Sequence, residues 1–302
     1  MKNVEQIKIN KGMSVNDLIK EYGKAGVIGA GRVSKAVDIL ELMVKDKECK
    51  VFMGLAGAMV PCGMREIIID LIENGYIDVL VTTGANLTHD LVEALGFNHF
   101  IGQHDADDAE LNKKGLVRIY DSYMPNKAYE KMEDFCNKVL KTVKDGANIR
   151  EFLRELGKNV EKRSILKACY ENNIPLFCPA LADSGIGLQI WGFLNSNKLV
   201  IDGFSDLKEI IDISWTAKKT GVFYVGGGVP KNYIQQAMQF SKCANYGVQV
   251  TIDMPEFGGS SGAELREGIS WGKMDPNGKF TEVYCDATIA LPLIYAGLKE
   301  RL

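Results

Sequence analysis

Apolar positions along this chain fall into short β-branched or aromatic runs separated by stretches of helical period. Residues 51–55, the run IDVLVTT (77–83), IPLFCPA (174–180), VFYV (222–225), YGVQVTID (246–253) and EVYCDA (282–287) each read as strands. Continuous apolar runs of this length fit strands buried on both faces. Between them lie helical patterns. Ser14 followed by Asp17 predicts an N-cap opening a helix through Tyr22, and a second helix follows over 33–44. The glycine-rich GVIGAGR (26–32) between these two reads as a linker loop, because no strand precedes it as a dinucleotide fingerprint requires. Helical period returns up to Glu73, from Leu87–Thr88, over 127–143, 149–156, 163–171, around 190–194, over 206–218, after Pro230, and in a closing segment to Leu302. The segment 102–125, polar and rich in Asp and Lys, predicts a long excursion over the surface.

Strands alternating with helices imply an α/β fold with a doubly wound, mostly parallel, Rossmann-like sheet covered by helices on both faces. No repeat, low-complexity tract or linker divides the chain. The expectation is one domain over 1–302, with 1–48 as a helical N-terminal extension packed on it.

Composition narrows the function. The chain has 302 residues, 46% apolar and 25% charged, enough to bury a large core. A formal charge of −3 without a basic run argues against a nucleic-acid partner, since phosphate contacts need a basic footprint. No apolar run approaches the ~20 residues of a membrane helix, and MKNVEQIKINKGMSV lacks the apolar core of a signal peptide. Seven scattered cysteines without a C-x-x-C pair fit reduced thiols, mostly small core residues, in a cytoplasmic protein.

In a doubly wound sheet, ligands bind at the carboxyl ends of strands. Four such ends carry suggestive residues: Thr83-Gly84-Ala85, Asp183-Ser184-Gly185, Gly226-Gly227-Gly228 and Cys285-Asp286-Ala287. The triple glycine followed by Pro230 aims backbone N–H groups beyond the strand, where a pyrophosphate fits; a tight strand-to-helix crossing accounts for it equally well. Asp183, Asp253 and Asp286 each suit a ribose hydroxyl or a cationic substrate, or else cap a helix or turn. His89, His99 and His104, with Asp105, Asp107 and Asp108, match no zinc or carboxylate-metal spacing and read as solvated loop residues; no metal is expected. In SSGAELREGISWGK (260–273), Gly262 lets backbone approach a ligand, and Trp271 offers a flat apolar face beside Lys273. A lysine against an apolar wall is a candidate nucleophile for imine chemistry. An amphipathic helix with an exposed lysine is the bland alternative. Glu267, six residues earlier, is too far for a same-face pair on such a helix but is a candidate for binding an ammonium group.

With SGAELREGISWGK, GGGVPK, VLVTTG and YCDATIALP, the chain resembles the deoxyhypusine synthase family from about Asn10 onward. That resemblance implies an NAD-dependent transferase that dehydrogenates a polyamine, usually spermidine, and captures its aminobutyl part as an enzyme-lysine imine with release of diaminopropane. The group then passes to a lysine of translation initiation factor 5A, and NAD is regenerated. It implies Lys273 as the nucleophile. NAD contacts are implied near Thr83, Gly84, Ala85, Asp183, Gly227, Gly228, Asp253, Asp286 and Ala287. The substrate pocket is implied near Glu267, Trp271, Asn232 and Gly262. It also implies homotetramers with sites at dimer interfaces.

Five positions depart from the family pattern. A histidine pair after GGGV-x-K is here Asn232 and Tyr233; an acidic residue is Leu188; the aspartate of a Ser-Asp-Ser-Gly motif is Ser260; and a glutamate near the nicotinamide is His89. Two carboxylates that would grip a polycation are thus absent, each charge-assisted contact worth about 1.5–3 kcal/mol. Three readings follow: a deoxyhypusine synthase, a related aminoalkyl transferase acting on small amines of homospermidine or agmatine type, and a non-catalytic NAD-binding homologue.

Overall fold

The computed structural model describes residues Met1–Leu302. In chain order the elements that matter here are α1 (Val15–Ala25), α2 (Ile28–Lys45), β1 (Cys49–Leu55), β2 (Val79–Thr82), α3 (Gly84–Ala94), β3 (Leu176–Phe177), α4 (Gly185–Leu194), β4 (Lys219–Val225), α5 (Gly228–Gln239), β5 (Ala244–Thr251), β6 (Met274–Tyr284) and α6 (Ala287–Lys299). They group into two compact units. One comprises Met1–Ala56, Tyr76–Val81 and Lys208–Leu302, the other Gly57–Gly75 and Thr82–Leu207.

In the first unit the strands run in the order β6-β5-β4-β1-β2. The pairs β1/β4, β4/β5 and β5/β6 are parallel. Nearly every residue of β1 and β4 is buried, as their unbroken apolar runs require, whereas much of β6 is exposed. Helices cover both faces. Gly221 of β4 faces Met43 of α2, and its register partner Val51 shares that side. Gly54 lies three residues further along β1, so it points to the opposite face, against Ile234 of α5. The α/β reading with a mostly parallel sheet and helices on both faces therefore holds.

Ser14 caps α1 as expected, its hydroxyl accepting from the Asp17 N–H at 3.2 Å, but the helix continues past Tyr22 to Ala25. The glycine-rich stretch 26–32 is not a linker loop. Gly26, at φ 70°, closes α1 in the left-handed conformation, and α2 already starts at Ile28. A Cβ on Gly31 would come within 2.4 Å of the Gly26 backbone, so this glycine permits a tight corner and does not break the helix.

The second unit is mainly helical, and the long surface excursion expected over 102–125 contains two strands of a small antiparallel sheet. Ser122–Pro125 pairs on one side with Phe100–Ile101 and on the other with Leu116–Ile119, next to a helix at Asp108–Lys113. Leu116–Ile119 is half-exposed at every residue, which left no apolar alternation to read. Nor are His89 and His99 solvated loop residues. His89 Nδ1 and His99 Nε2 are 2.9 Å apart, and His99 Nδ1 is 2.7 Å from Glu93 Oε1. Burial, helped by His99, pulls the His89 imidazole down to about 4. His104 stacks on Tyr120. No group of three or more His, Cys, Asp or Glu side chains converges to hold a metal ion.

Asp90 on α3 is fully buried and ties this unit together. Its carboxylate accepts from Arg65 Nε at 2.8 Å and from the Ile165 and Leu166 N–H groups, both at 3.0 Å. Those last two donors open the helix Ile165–Glu171, whose N-terminal end favours an anion. Replacing Asp90 by Ala leaves the Arg65 Nε–H and two buried backbone donors without this acceptor, while the guanidinium keeps the Arg163 carbonyl at 2.7 Å. The expected cost is about 3–5 kcal/mol, read as a lowered urea midpoint; a loss below about 1 kcal/mol, the range of exposed ion pairs, contradicts this role.

Candidate active site

The register of β4, β5 and β6 brings three strand ends level. Val225 pairs with Val250, and Thr251 with Tyr284. The Gly226 N–H donates to the Val250 carbonyl at 2.8 Å and the Cys285 N–H to the Thr251 carbonyl at 3.1 Å, so the ladder persists just past the strands. Gly227, Gly228, Asp253, Asp286 and Ala287 follow directly. Gly226 (φ 73°) and Gly228 (φ 55°) both adopt the left-handed conformation that glycine tolerates best. A Cβ on Gly227 would fall 2.3 Å from Ser261 Cα, so the loop after β5 lies directly on the glycine turn. No side chain caps α5, and space beyond Gly228 is open, leaving helix N–H groups available to an anion.

The aspartates divide. Asp286 caps α6, accepting from the Thr288 N–H at 2.8 Å and from the Thr288 hydroxyl, which holds its carboxyl below the usual range. Asp253 is half-buried, and its carboxylate makes no hydrogen bond within the chain, so it can still accept from a ligand hydroxyl.

Residues 260–273 form no α-helix. A 3₁₀ segment, Leu265–Ile269, is followed by a turn through Gly272 at φ 68°, and the chain enters β6. Trp271 and Lys273 N–H groups both donate to the Gly268 carbonyl, at 3.2 and 2.8 Å, while the Lys273 carbonyl accepts from Ala244 at 2.9 Å. The backbone of Lys273 is thereby fixed on both sides. Its Nζ lies 5.1 Å from the centre of the Trp271 ring, within cation–π range. The tight turn closes the six-residue gap that an α-helix would have left: Glu267, Trp271 and Lys273 line one cavity of about 250 Å³ with Asn232, Ser260 and Glu264. Gly262 does not line it. A Cβ there would come 2.3 Å from the Met254 carbonyl oxygen, so this glycine serves a backbone crossing.

Beneath the cavity lies a buried polar pair that sequence reading passed over. Lys231 of α5 is 1% exposed, and its ammonium donates to Gln249 Oε1 at 2.9 Å and to the Ala263 carbonyl at 2.6 Å. Gln249 of β5, fully buried, donates through Nε2 to the Gly226 carbonyl at 3.1 Å and the Ser261 carbonyl at 2.8 Å. Burial pulls Lys231 down to about 8, opposed by Glu282 and Glu267 and reinforced by Lys273. The available signal was a single glutamine inside the apolar run V-Q-V, together with the lysine of GGGVPK.

The remaining predicted residues belong to the second unit. Thr83 caps α3, its hydroxyl accepting from Asn86 at 3.3 Å. Gly84 packs against Ser184, where a Cβ would come within 2.4 Å of the serine Cβ. Ala85 and Asp183 are exposed. Gly84 and the 183–185 turn are thus brought together, and Leu188 is exposed on α4 just beyond.

The family profile described as deoxyhypusine synthase matches residues 17–298. "Probable deoxyhypusine synthase 1" of Methanosarcina mazei is 47% identical over 99% of this chain and 95% of its own length. "Probable deoxyhypusine synthase 1" of Archaeoglobus fulgidus is 43% identical over 97% of both chains. Among solved structures, a protein provisionally assigned as a deoxyhypusine synthase of Entamoeba histolytica has the same fold, with a TM-score of 0.69 and 20% identity over 95% of this chain and 93% of its own. By the extent of these matches, the chain belongs to the deoxyhypusine synthase family and is a transferase.

Proposed function

We propose that this enzyme uses NAD to move the aminobutyl group of spermidine, through an imine on Lys273, to a lysine of translation initiation factor 5A. One observation carries the reading. A lysine with a fixed backbone shares a cavity with an indole face and two carboxylates, Glu264 and Glu267, beside a glycine turn at level strand ends. The chain's own features fit a dinucleotide at that turn. Helix α5 lacks a side-chain cap, the space beyond Gly228 is open, and Asp253 has a free carboxylate for a ribose hydroxyl. Asp286 and Ala287 complete the proposed NAD contacts of this unit; Thr83, Gly84, Ala85 and Asp183 of the second unit are proposed as NAD contacts on the family resemblance. Bound NAD would supply a hydride acceptor for the amine and a hydride donor for the product.

Lys273 supplies the nucleophilic nitrogen, and its amine must be unprotonated to add to the oxidised carbon. Trp271 packs against the aliphatic chain or faces a cationic end. Glu264 and Glu267 attract ammonium groups. Ser260 and Leu188 are neutral where the family pattern has carboxylates, and this favours a second reading with a shorter or less charged amine. The seven free cysteines support a reducing, cytoplasmic setting. No helix is long and apolar enough to cross a membrane.

We further propose a homotetramer. The exposed Leu188, Trp191 and Leu194 of α4 are large apolar side chains on one short helix, which support burial by another copy. The solution mass by light scattering is expected near four times the 33.3 kDa of one chain; a monomer at micromolar concentration contradicts it.

Incubation with NAD, labelled spermidine and factor 5A from the same source separates the chemical readings. Label on the protein acceptor is expected. Label only on a small amine selects the second reading, and label on neither rules out both. Lys273→Arg is expected to reduce transfer to background with the dissociation constant for NAD changed less than about threefold, under 1 kcal/mol. Transfer retained by that variant contradicts the nucleophile's role.

A further inference from the structure

We infer that Lys231 and Gln249 are positioning residues that lock the glycine turn and the floor of the Lys273 cavity into one rigid body. The polar pair spans three segments distant in sequence. Gln249 Nε2 holds Gly226 on the turn after β4 and Ser261 on the loop after β5. Lys231 Nζ holds Ala263, two residues further along that loop, while Gln249 Oε1 accepts from Lys231. Thr251 Oγ1 adds a longer bond to the Ser261 carbonyl, at 3.3 Å. The contact is also steric, since Gly227 rests on Ser261 with no room for a Cβ.

The glutamine side chain is fully matched in donors and acceptor, and the lysine uses two of its three donors. The glutamine amide gives both hydrogens to backbone carbonyls and its oxygen to the lysine, and two ammonium hydrogens are used in turn. A buried network satisfied in this way admits one geometry, because any shift of either loop strands a donor or a carbonyl away from water. Lys231 shares α5 with Asn232 and Gln235, which line the cavity, yet it is too buried to line it itself. Its place is behind the wall. A lysine costs much more to bury than leucine or methionine, and packing alone does not explain one here. Rigid support of this kind is what keeps reacting groups within the small tolerance that catalysis allows.

The role rests on the Lys273 transfer reading for its catalytic consequence, but the lock itself is measurable without turnover. In the full-length protein without ligand, Lys231→Met and Gln249→Met are each expected to speed backbone hydrogen exchange about tenfold or more at the hydrogen-bonded amides of both segments, Gly226 in 226–229 and Gly262 and Ala263 in 260–264, the scale of one broken buried hydrogen bond. Exchange in β1 and α6 stays unchanged. Gln249→Glu, which keeps an acceptor for Lys231 but removes both donations to carbonyls, is expected to do the same. With spermidine and NAD, borohydride-trapped adduct on Lys273 forms about tenfold more slowly in each variant, while the half-saturating amine concentration moves less than about threefold, since no amine contact is removed. Faster exchange in one segment only, or in neither, overturns the inference. Joint loosening with an unchanged adduct rate overturns it too. Wild-type protein that forms no adduct counts against the transfer reading, and the exchange data then decide the lock. Should the methionine variants not fold, NAD alone added to wild type is expected to slow both segments together, and slowing confined to 226–229 overturns it.

Discussion

The in-register parallel pairing of β4, β5 and β6 decides where chemistry is possible in this molecule. Parallel strands all finish at one edge, and a shared register makes them finish level. Backbone groups and side chains from three loops then meet without any one loop having to reach. A one-residue slip of β5 would turn Gln249 away from its partners and bring its apolar neighbours to the polar face. The apolar packing of these strands therefore also fixes the polar arrangement above it.

That arrangement has two tiers. The upper one faces solvent: Lys273 against Trp271, with Glu264, Glu267, Asn232 and Ser260 around one cavity. The lower tier is buried, and consists of Lys231 and Gln249 bonded to backbone carbonyls from two loops. The tiers differ in what they tolerate. Cavity residues can change without stranding a buried polar group, because solvent reaches them. The buried pair can lose neither member without leaving polar groups unsatisfied.

Much of the fold was legible because burial on both faces leaves an unbroken apolar run, as in VFYV and YGVQVTID. Legibility failed where residues serve two purposes. Glycines at 26–32 signalled a break, yet Gly31 lies inside α2 because a close crossing needs the space. The strands within 102–125 are too exposed to show alternation. His89 and His99 read as solvent groups in the sequence because mutual hydrogen bonding between side chains ten residues apart has no one-dimensional signature. Among the candidate site residues, Lys273, Trp271, Glu267 and Asn232 share a cavity, whereas Gly262 serves backbone packing and Asp286 caps its own helix. Motif spacing indicated that these positions were special but could not divide contact from support. Lys231 was inside a recognised motif, and its partner Gln249 was a lone polar residue in a strand. Only the fold joins them.

The account's central claim is that Lys273, and not the buried Lys231 beside it, forms the covalent imine. Both lysines occupy the same region, and Lys231 has the depressed pKa that often accompanies nucleophilic lysines. Access separates them: Lys273 lines the cavity, and Lys231 is closed off with its ammonium bonded to protein acceptors. Peptide mapping by mass spectrometry after borohydride reduction, with NAD and spermidine present, tests this most directly. The expected result is one aminobutyl mass increment, on the peptide containing Lys273 and at that residue. An increment on Lys231, or an unmodified Lys273 in protein that has turned over, would contradict the account.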